Sequence, residues 1–502
     1  MNPRDSAHFR YKRSRTLIRP LLQQYKRVVV DFSFIANLKS REMRHEFIDD
    51  LLEEDCEVAV SQDFFENCEV VRQSHFEEQE ELIRRIEEFT EKLQQKKRFF
   101  RFEDVYSPET VVNALASNPK VCFAFHCISE FAEAVLADFG NLKAALLITD
   151  CDGETVCPKD PEEIRAILYP EVDPDILKKG SVSDAGEIGE GSIVMTREKE
   201  KIILGKQLGK GGEGTVYQSD YQGAFGAGYV VKIYHKGKLN VLRLKKLLLM
   251  ESSLIRYEGI CWPEKMVFSL EGKPVGYLMQ GIAGKNMSTI FTGPDRVREI
   301  FPTWTRQDLV RLAVRILQRY QYLHIFGILI GDMRMKNIVL DEDGSPNIMD
   351  TDSAQVGRIP CPVGFEDFTP PELQGVPFEN QLRTYSNESF SVAVLIFMIL
   401  FFGLHPYDQK NGADDIAEDI RAARFPYPEK GSSDYSRVPW GGYDAVWKNM
   451  PIPFQDFFRD VFRGQKRSSL IEMICLLKTY DRFITKIKDR YPAVDQLIYE
   501  EV

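Results

Sequence analysis

The chain is poor in cysteine: nine in 502 residues, with no pair in C-x-x-C spacing. That excludes a disulfide scaffold and leads us to expect reduced thiols in a cytoplasmic compartment. Long hydrophobic runs are also missing. The longest, residues 391–404 (SVAVLIFMILFFGL), has 14 residues, short of the ~20 needed to span a membrane. It reads as a fully buried core helix, and a soluble protein is expected, with no membrane partner. The opening MNPRDSAHFRYKRSR has no apolar stretch behind its charges, so no secretory signal is expected there. The net charge of −11 excludes a generally basic nucleic-acid coat, though not a single basic patch. There is no internal repeat and no low-complexity tract. With 43% hydrophobic and 28% charged residues the composition is that of ordinary globular protein. A chain this long exceeds one hydrophobic core, and two or three domains are expected.

Residues 1–27 carry eight Lys or Arg against one acid, Asp5, and read as a basic arm, either solvated or gripping phosphates. Residues 28–157 alternate strand and helix: RVVV runs into Asp31, CEVAV leads at Ser61 into a helix, and VCFAF and KAALLIT flank SEFAEAVLA. Between them Leu82, Ile86, Phe89 and Leu93 recur at spacings of three and four within a highly charged stretch, the mark of an amphipathic helix. This alternation predicts an α/β domain on a parallel sheet. Residues 158–195 turn to Pro, Gly, Ser and acids and read as a linker. Residues 196–475 run strand-rich to about 280 and helix-rich after about 305, an α+β domain with a small β lobe and a large α lobe. Residues 476–502 are expected to form a helical tail.

In the second half, LGKGGEGTVY places Gly209, Gly211 and Gly214 in the order G-x-G-x-x-G-x-V. A strand rather than a helix follows through Val216, so the loop is a hairpin whose amides can cover phosphates. With the residues that follow, the chain resembles a eukaryotic-like protein kinase with a bilobal fold. The resemblance implies that Lys232 in YVVKIY contacts the α and β phosphates of ATP. Glu251, nineteen residues later and the first acid after Lys232, would be its ion-pair partner. Met279 would back the adenine pocket, with Gln280 to Ile282 as the hinge. In LHIFGILIGDMRMKNIVL, Asp332 would accept the substrate hydroxyl proton and Asn337 would hold a metal. Asp350 in NIMDTD would be the main ligand of Mg²⁺ or Mn²⁺, and Glu372 in FTPPEL would pair with Arg467. The residue types suit the chemistry. A triphosphate needs hard-oxygen-bound metal and a cation, and in-line transfer is mainly positioning.

Several positions depart from that pattern. Gly331 stands where an arginine would precede Asp332, which puts control by a phosphate on the following segment in doubt. Asp352 ends an Asp350-Thr351-Asp352 triplet in place of a hinge glycine. Glu388 stands where the buried helix offers Asp, and Arg334 replaces the lysine that marks Ser/Thr specificity, leaving some Tyr specificity open. These wordings, with Gly403-Leu404-His405-Pro406-Tyr407, resemble a divergent group of bacterial kinases. His324 reads as a core histidine.

In the first half, Asp31, Glu66, Glu133 and Asp150 sit at element ends, with Asp152 nearby and Asp63 as a competitor to Glu66. Acids at the carboxyl ends of neighbouring parallel strands converge on one sheet edge and can bind one or two Mg²⁺ or Mn²⁺ ions that activate water. VVVDFSFIANL, FFENCEV, EAVLA and LLITDCD resemble the PIN-domain ribonucleases over residues 26–157. That resemblance implies a metal-dependent RNase with RNA as a partner, the alternative being an inert docking domain. Cys122, Cys127, Cys151 and Cys157, with His126, lack finger spacing and read as buried small hydrophobes rather than a zinc site. The combined expectation is a protein serine/threonine kinase using ATP on a protein substrate, fused to a PIN-like domain. An ATP-binding pseudokinase scaffold is the rival reading.

Overall fold

The structure, a computed structural model, describes residues 18–103, 105, 107–168, 182, 186–223, 228–253, 255–410, 412 and 415–497. Most of the basic arm and the middle of the expected linker lie outside the described residues. The chain forms two compact units, one of Met1–Pro170 with Gln321–Gly327 and one of Glu171–Tyr320 with Ile328–Val502.

The first unit is built on six strands: β1 (Arg27–Val30), β2 (Glu57–Ser61), β3 (Phe99–Phe102), β4 (Val121–His126), β5 (Ala145–Thr149) and β6 (Thr155–Val156). Their order is β3-β2-β1-β4-β5-β6. The first five are parallel, and only β6 runs antiparallel, on β5. Continuous apolar runs such as Val28–Val30, buried throughout, are what a sheet covered on both sides demands. The amphipathic helix is Glu77–Gln95, and Leu82, Ile86, Phe89 and Leu93 form its buried stripe. Part of the stretch expected as linker, residues 158–195, is helical. Pro161–Leu168 is a helix, and Leu168 joins the core around Phe123, Phe125 and Val135, with Ile164 and Ile167 packed beside it.

The second unit opens with an antiparallel barrel of β7 (Ile193–Thr196), β8 (Lys201–Lys210), β9 (Gly214–Ser219), β10 (Tyr229–Tyr234), β11 (Lys265–Phe268) and β12 (Pro274–Gln280). Its order is β10-β12-β11-β7-β8-β9, closed by β9 on β10. Val194, Ile202, Leu204, Val231, Val267 and Leu278 fill it, and closure leaves no edge strand to protect. The helix Val241–Ser252 lies between β10 and β11 in sequence. A helical body follows, whose longest helices are Tyr385–Leu400, Ile452–Phe462, Leu470–Ile487 and the part of Arg306–Ile325 up to Tyr320. The apolar run falls on Tyr385–Leu400, which is buried almost all round and begins with a capping box at Thr384 and Asn387. The expected tail boundary at 475 falls inside the continuous helix Leu470–Ile487. Among the described residues no helix is long and apolar enough to cross a membrane.

Candidate active site

The glycine-rich segment is a β-hairpin, with Gly209 opposite Val216 and the Gly211 amide donating to the Gly214 carbonyl at 2.9 Å. Space beside Gly209 and Gly212 is open, so a ligand can approach their backbone, whereas a Cβ on Gly214 would lie 2.6 Å from the Ile233 carbonyl oxygen. Lys232 on β10 is the cross-strand neighbour of Val216 on one side and of Tyr277 on the other. Met279 and Gln280 end β12 opposite Val230 and Tyr229, and Ile282 follows, half-buried. The Gln280 side-chain oxygen accepts from the Gly259 amide at 3.2 Å.

The partner of Lys232 is not the expected one. Glu251 pairs with Arg197 at 2.7 Å and accepts from the Met266 amide, so it is committed elsewhere. Lys232 Nζ instead lies 2.9 Å from Asp352 Oδ1 and 3.5 Å from Asp350 Oδ1. Asp352 is 2% exposed and also accepts from the Tyr234 hydroxyl at 2.5 Å. Burial works to raise its pKa, but Lys232 and the Tyr234 hydrogen bond hold it below the ordinary aspartate value. Burial likewise opposes the charge on Lys232, and the two aspartates hold its pKa above normal. Asp350 differs sharply from its neighbour: its side chain is 57% exposed, and its backbone is left-handed at φ +52°. The buried carboxylate is the nearer partner of the lysine, and the exposed one lies at the edge of the same group.

The segment around Asp332 is held from several directions. Ile328–Leu329 pairs with Gln355–Val356, and the Ile330 and Gly331 amides donate to the two oxygens of buried Glu388 at 3.0 and 2.9 Å. Glu388 thus takes the place of the expected aspartate on that helix. Asn337 donates to the Asp332 carbonyl at 2.8 Å and to Asp332 Oδ2 at 3.1 Å, and Arg334 reaches the same Oδ2 at 3.1 Å. The Met349 amide donates to the Asn337 carbonyl at 2.8 Å, tying this loop to the residues just before Asp350. Glu372 meets Arg467 at 3.2 Å and accepts from Asn387 at 2.9 Å.

In the first unit Asp31 ends β1 and caps the helix Phe32–Ala36, accepting from the Ser33 amide and hydroxyl. Asp63, the competitor to Glu66, is a buried acid near it, the second residue of the helix Gln62–Arg72 and bonded to the Ser61 hydroxyl. Burial, and for Asp63 the charge of Asp31 as well, push the two carboxyls up to about 6 and about 8 respectively. Glu66 and Glu133 are half-buried on their helices, and Asp150 accepts from the Asp152 and Glu154 amides at 2.9 Å each. Among the described residues no three His, Cys, Asp or Glu side chains come close enough together to hold a metal ion, so the expected four-carboxylate cluster is not assembled. Cys122 and Cys127 are buried as expected, but Cys151 is exposed and Cys157 half-buried. His126 is buried, and desolvation pushes its pKa down to about 4.

Sequence reasoning missed Asp352 as the lysine's partner. The signal was present: a second acid two residues after Asp350 must be either exposed or matched by a buried cation.

No family model matches the chain. It is 32% identical over 248 residues to protein kinase YegI of Escherichia coli K12, covering 47% of this chain and 37% of that protein. Over 273 residues it is 25% identical to the serine/threonine-protein kinase dkf-1 of Caenorhabditis elegans, covering 51% and 34%. A 122-residue stretch is 30% identical to protein kinase C delta type of Mus musculus, covering 23% and 17%. The chain spans about a third of the length of the first two of these curated relatives and about a sixth of the third. The similarities support a protein kinase.

Proposed function

We propose that the second unit is an ATP-dependent protein kinase that phosphorylates Ser or Thr hydroxyls with Mg²⁺ or Mn²⁺ as the metal. The observation that carries this reading is Lys232, which adjoins the glycine-rich hairpin through Val216 and is bonded at its tip to Asp350 and Asp352. The residues fit the nucleotide: open backbone beside Gly209 and Gly212, one buried cation, and a carboxylate that is more than half exposed. Bound ATP and its metal would supply the γ-phosphoryl group and the neutralisation of its charge. Lys232 would hold the α and β phosphates, and Asp350 and Asn337 the metal. Arg334 and Asn337 both donate to Asp332 Oδ2. Oδ1 is therefore the oxygen we assign to accept the hydroxyl proton. The substrate oxygen would bond to the γ-phosphorus as the bond from that phosphorus to the β,γ-bridging oxygen breaks, with ADP leaving.

The test is transfer of label from γ-labelled ATP to casein and to the chain itself. Asp332→Asn is expected to keep nucleotide binding and to lose transfer by about 100-fold or more. Equal transfer by both proteins, or none by either, overturns the reading; the second outcome would leave an ATP-binding scaffold.

For the first unit we infer either a metal-dependent RNase or an inert docking domain; burial, which raises the pKa of both Asp31 and Asp63, favours the second. Incubation with single-stranded RNA and Mn²⁺ tests it. Cleavage lost in Asp31→Asn would favour the metal-dependent RNase instead.

A further inference from the structure

The residues after Asp350 are gripped by two buried cations that the phosphoryl-transfer chemistry does not use. Lys246, on the helix Val241–Ser252, is 3% exposed. Its Nζ donates to the Ser353 carbonyl and the Pro360 carbonyl, each at 2.9 Å. A buried ammonium that bonds neutral carbonyls carries a desolvation cost, and its pKa is pushed down to about 8 by burial, with Cys361 and Asp352 acting in the opposite direction. Such a residue has little reason to be there for stability alone, because an apolar side chain of the same length would pack without that cost.

Arg383 grips the next stretch. It is buried, donates to the Cys361 carbonyl at 2.8 Å and to the Val363 carbonyl at 2.7 Å, and stacks on the Phe378 ring at 4.0 Å. Its own backbone is fixed by Gln355, which accepts from the Arg383 amide at 2.8 Å and donates to the Arg383 carbonyl at 2.9 Å. The glycine at 331 makes room for this arrangement. A Cβ there would lie 2.7 Å from Arg383 Nη1 and 2.7 Å from Cys361 Cβ, and φ is +70°. The catalytic loop has given up a side chain at the place where the Arg383 guanidinium passes.

We propose that Lys246 and Arg383 are positioning residues that hold residues 353–363 by their backbone carbonyls, so that this segment is set for phosphoryl transfer without being phosphorylated. The proposal rests on the kinase reading of the second unit. The link to the chemistry is one residue long: Lys246 fixes the carbonyl of Ser353, and Asp352 next to it fixes Lys232. Thr351, on the other side, donates to the Cys261 carbonyl at 2.6 Å. Release of Ser353 frees Asp352 to move away from Lys232 and Asp350 to leave its left-handed conformation.

The test uses the full chain, treated with a phosphatase until mass spectrometry finds no phosphate, and its Lys246→Met, Lys246→Arg and Arg383→Met variants. The dephosphorylated wild type is expected to keep its phosphoryl-transfer rate. Lys246→Met is expected to lose roughly 10- to 100-fold in kcat with KM for ATP little changed, since misplacement by about an ångström costs that much. Lys246→Arg, still able to donate to two carbonyls, is expected to recover most of it. Hydrogen exchange reads the same claim without catalysis: amides of 353–363 should exchange faster in Lys246→Met and Arg383→Met, with those of the barrel unchanged. Loss of rate on dephosphorylation, a wild-type kcat in Lys246→Met, or unchanged exchange in both variants overturns the proposal. If the wild type transfers no phosphate at all, the kinase reading fails, and the exchange result still decides whether these residues hold the segment.

Discussion

Lys232 Nζ and Asp352 Oδ1 lie 2.9 Å apart across 120 residues of sequence, and both side chains are buried. The acid that neutralises the lysine therefore comes from the triplet that also supplies the candidate metal ligand, not from the neighbouring helix. That helix instead presents a cation, Lys246, to the carbonyl of Ser353, directly after the triplet. One consequence is that the placement of Lys232 and Asp350 depends on the helix through Lys246 and its hold on Ser353, not through a carboxylate on that helix.

Removal of one partner from a buried pair leaves the other charge without compensation. Asp352→Asn is expected to cost about 3–5 kcal/mol of the second unit's stability, read as a fall in its denaturation midpoint. Glu251→Gln, which touches only the half-exposed Arg197 pair and one amide, should cost no more than about 1 kcal/mol.

Restoring a side chain at Gly331 should harm rather than repair. Gly331→Ala forces a Cβ at φ +70° into the space of Arg383 and Cys361, and a loss of roughly 2–4 kcal/mol is expected from strain and overpacking together. Thermal melting of the variant checks it. A variant as stable as wild type would mean that this space is not shared.

Glu388 accepts from both the Ile330 and Gly331 amides. Glu388→Gln keeps the shape but sets an N–H against one of those N–H groups. About 1–3 kcal/mol of stability should be lost, along with the activity that depends on Asp332, measured by chemical denaturation and a transfer assay.

The first unit should be less stable in mild alkali than in mild acid. Asp31 and Asp63 have folded-state pKa values raised to about 6 and about 8, above the ordinary aspartate value of about 3.9. The folded protein then binds more protons than the unfolded chain between those limits, so stability is full below about pH 4 from this source and falls as pH rises towards 8. The melting transition of the first unit should drop between pH 5 and pH 8, and Asp63→Asn should flatten that slope. An unchanged slope in the variant would assign the effect elsewhere.

Much of the architecture was readable because it is local. The Val28–Val30 run, the Leu82-Ile86-Phe89-Leu93 stripe and the glycine-rich hairpin are each decided by neighbours in sequence. So are the motif order through Lys232, Asp332, Asn337 and Asp350 and the two acids Glu388 and Glu372. What escaped was set at long range or masked by composition. Asp352 could be matched to Lys232 only by knowing that the two strands of chain meet. Glu251 is the first acid after Lys232 in sequence, but it pairs with Arg197 instead. Asp63 outranks Glu66 because the helix starts at Gln62, directly after β2, which keeps the second residue of the helix beside the strand end. In PEEIRAIL, Pro and two acids read as linker, yet Pro at the first helical position and acids in the first turn are helix-start signals, with Ile164, Ile167 and Leu168 as its buried side.

The most direct measurement is phosphoryl transfer from γ-labelled ATP by wild type, Glu251→Gln and Asp352→Asn under identical conditions, with folding of each verified by circular dichroism. The relocated pair predicts transfer near the wild-type rate in Glu251→Gln and a loss of about 100-fold in Asp352→Asn. The reverse order, with Glu251 required and Asp352 dispensable, would contradict it.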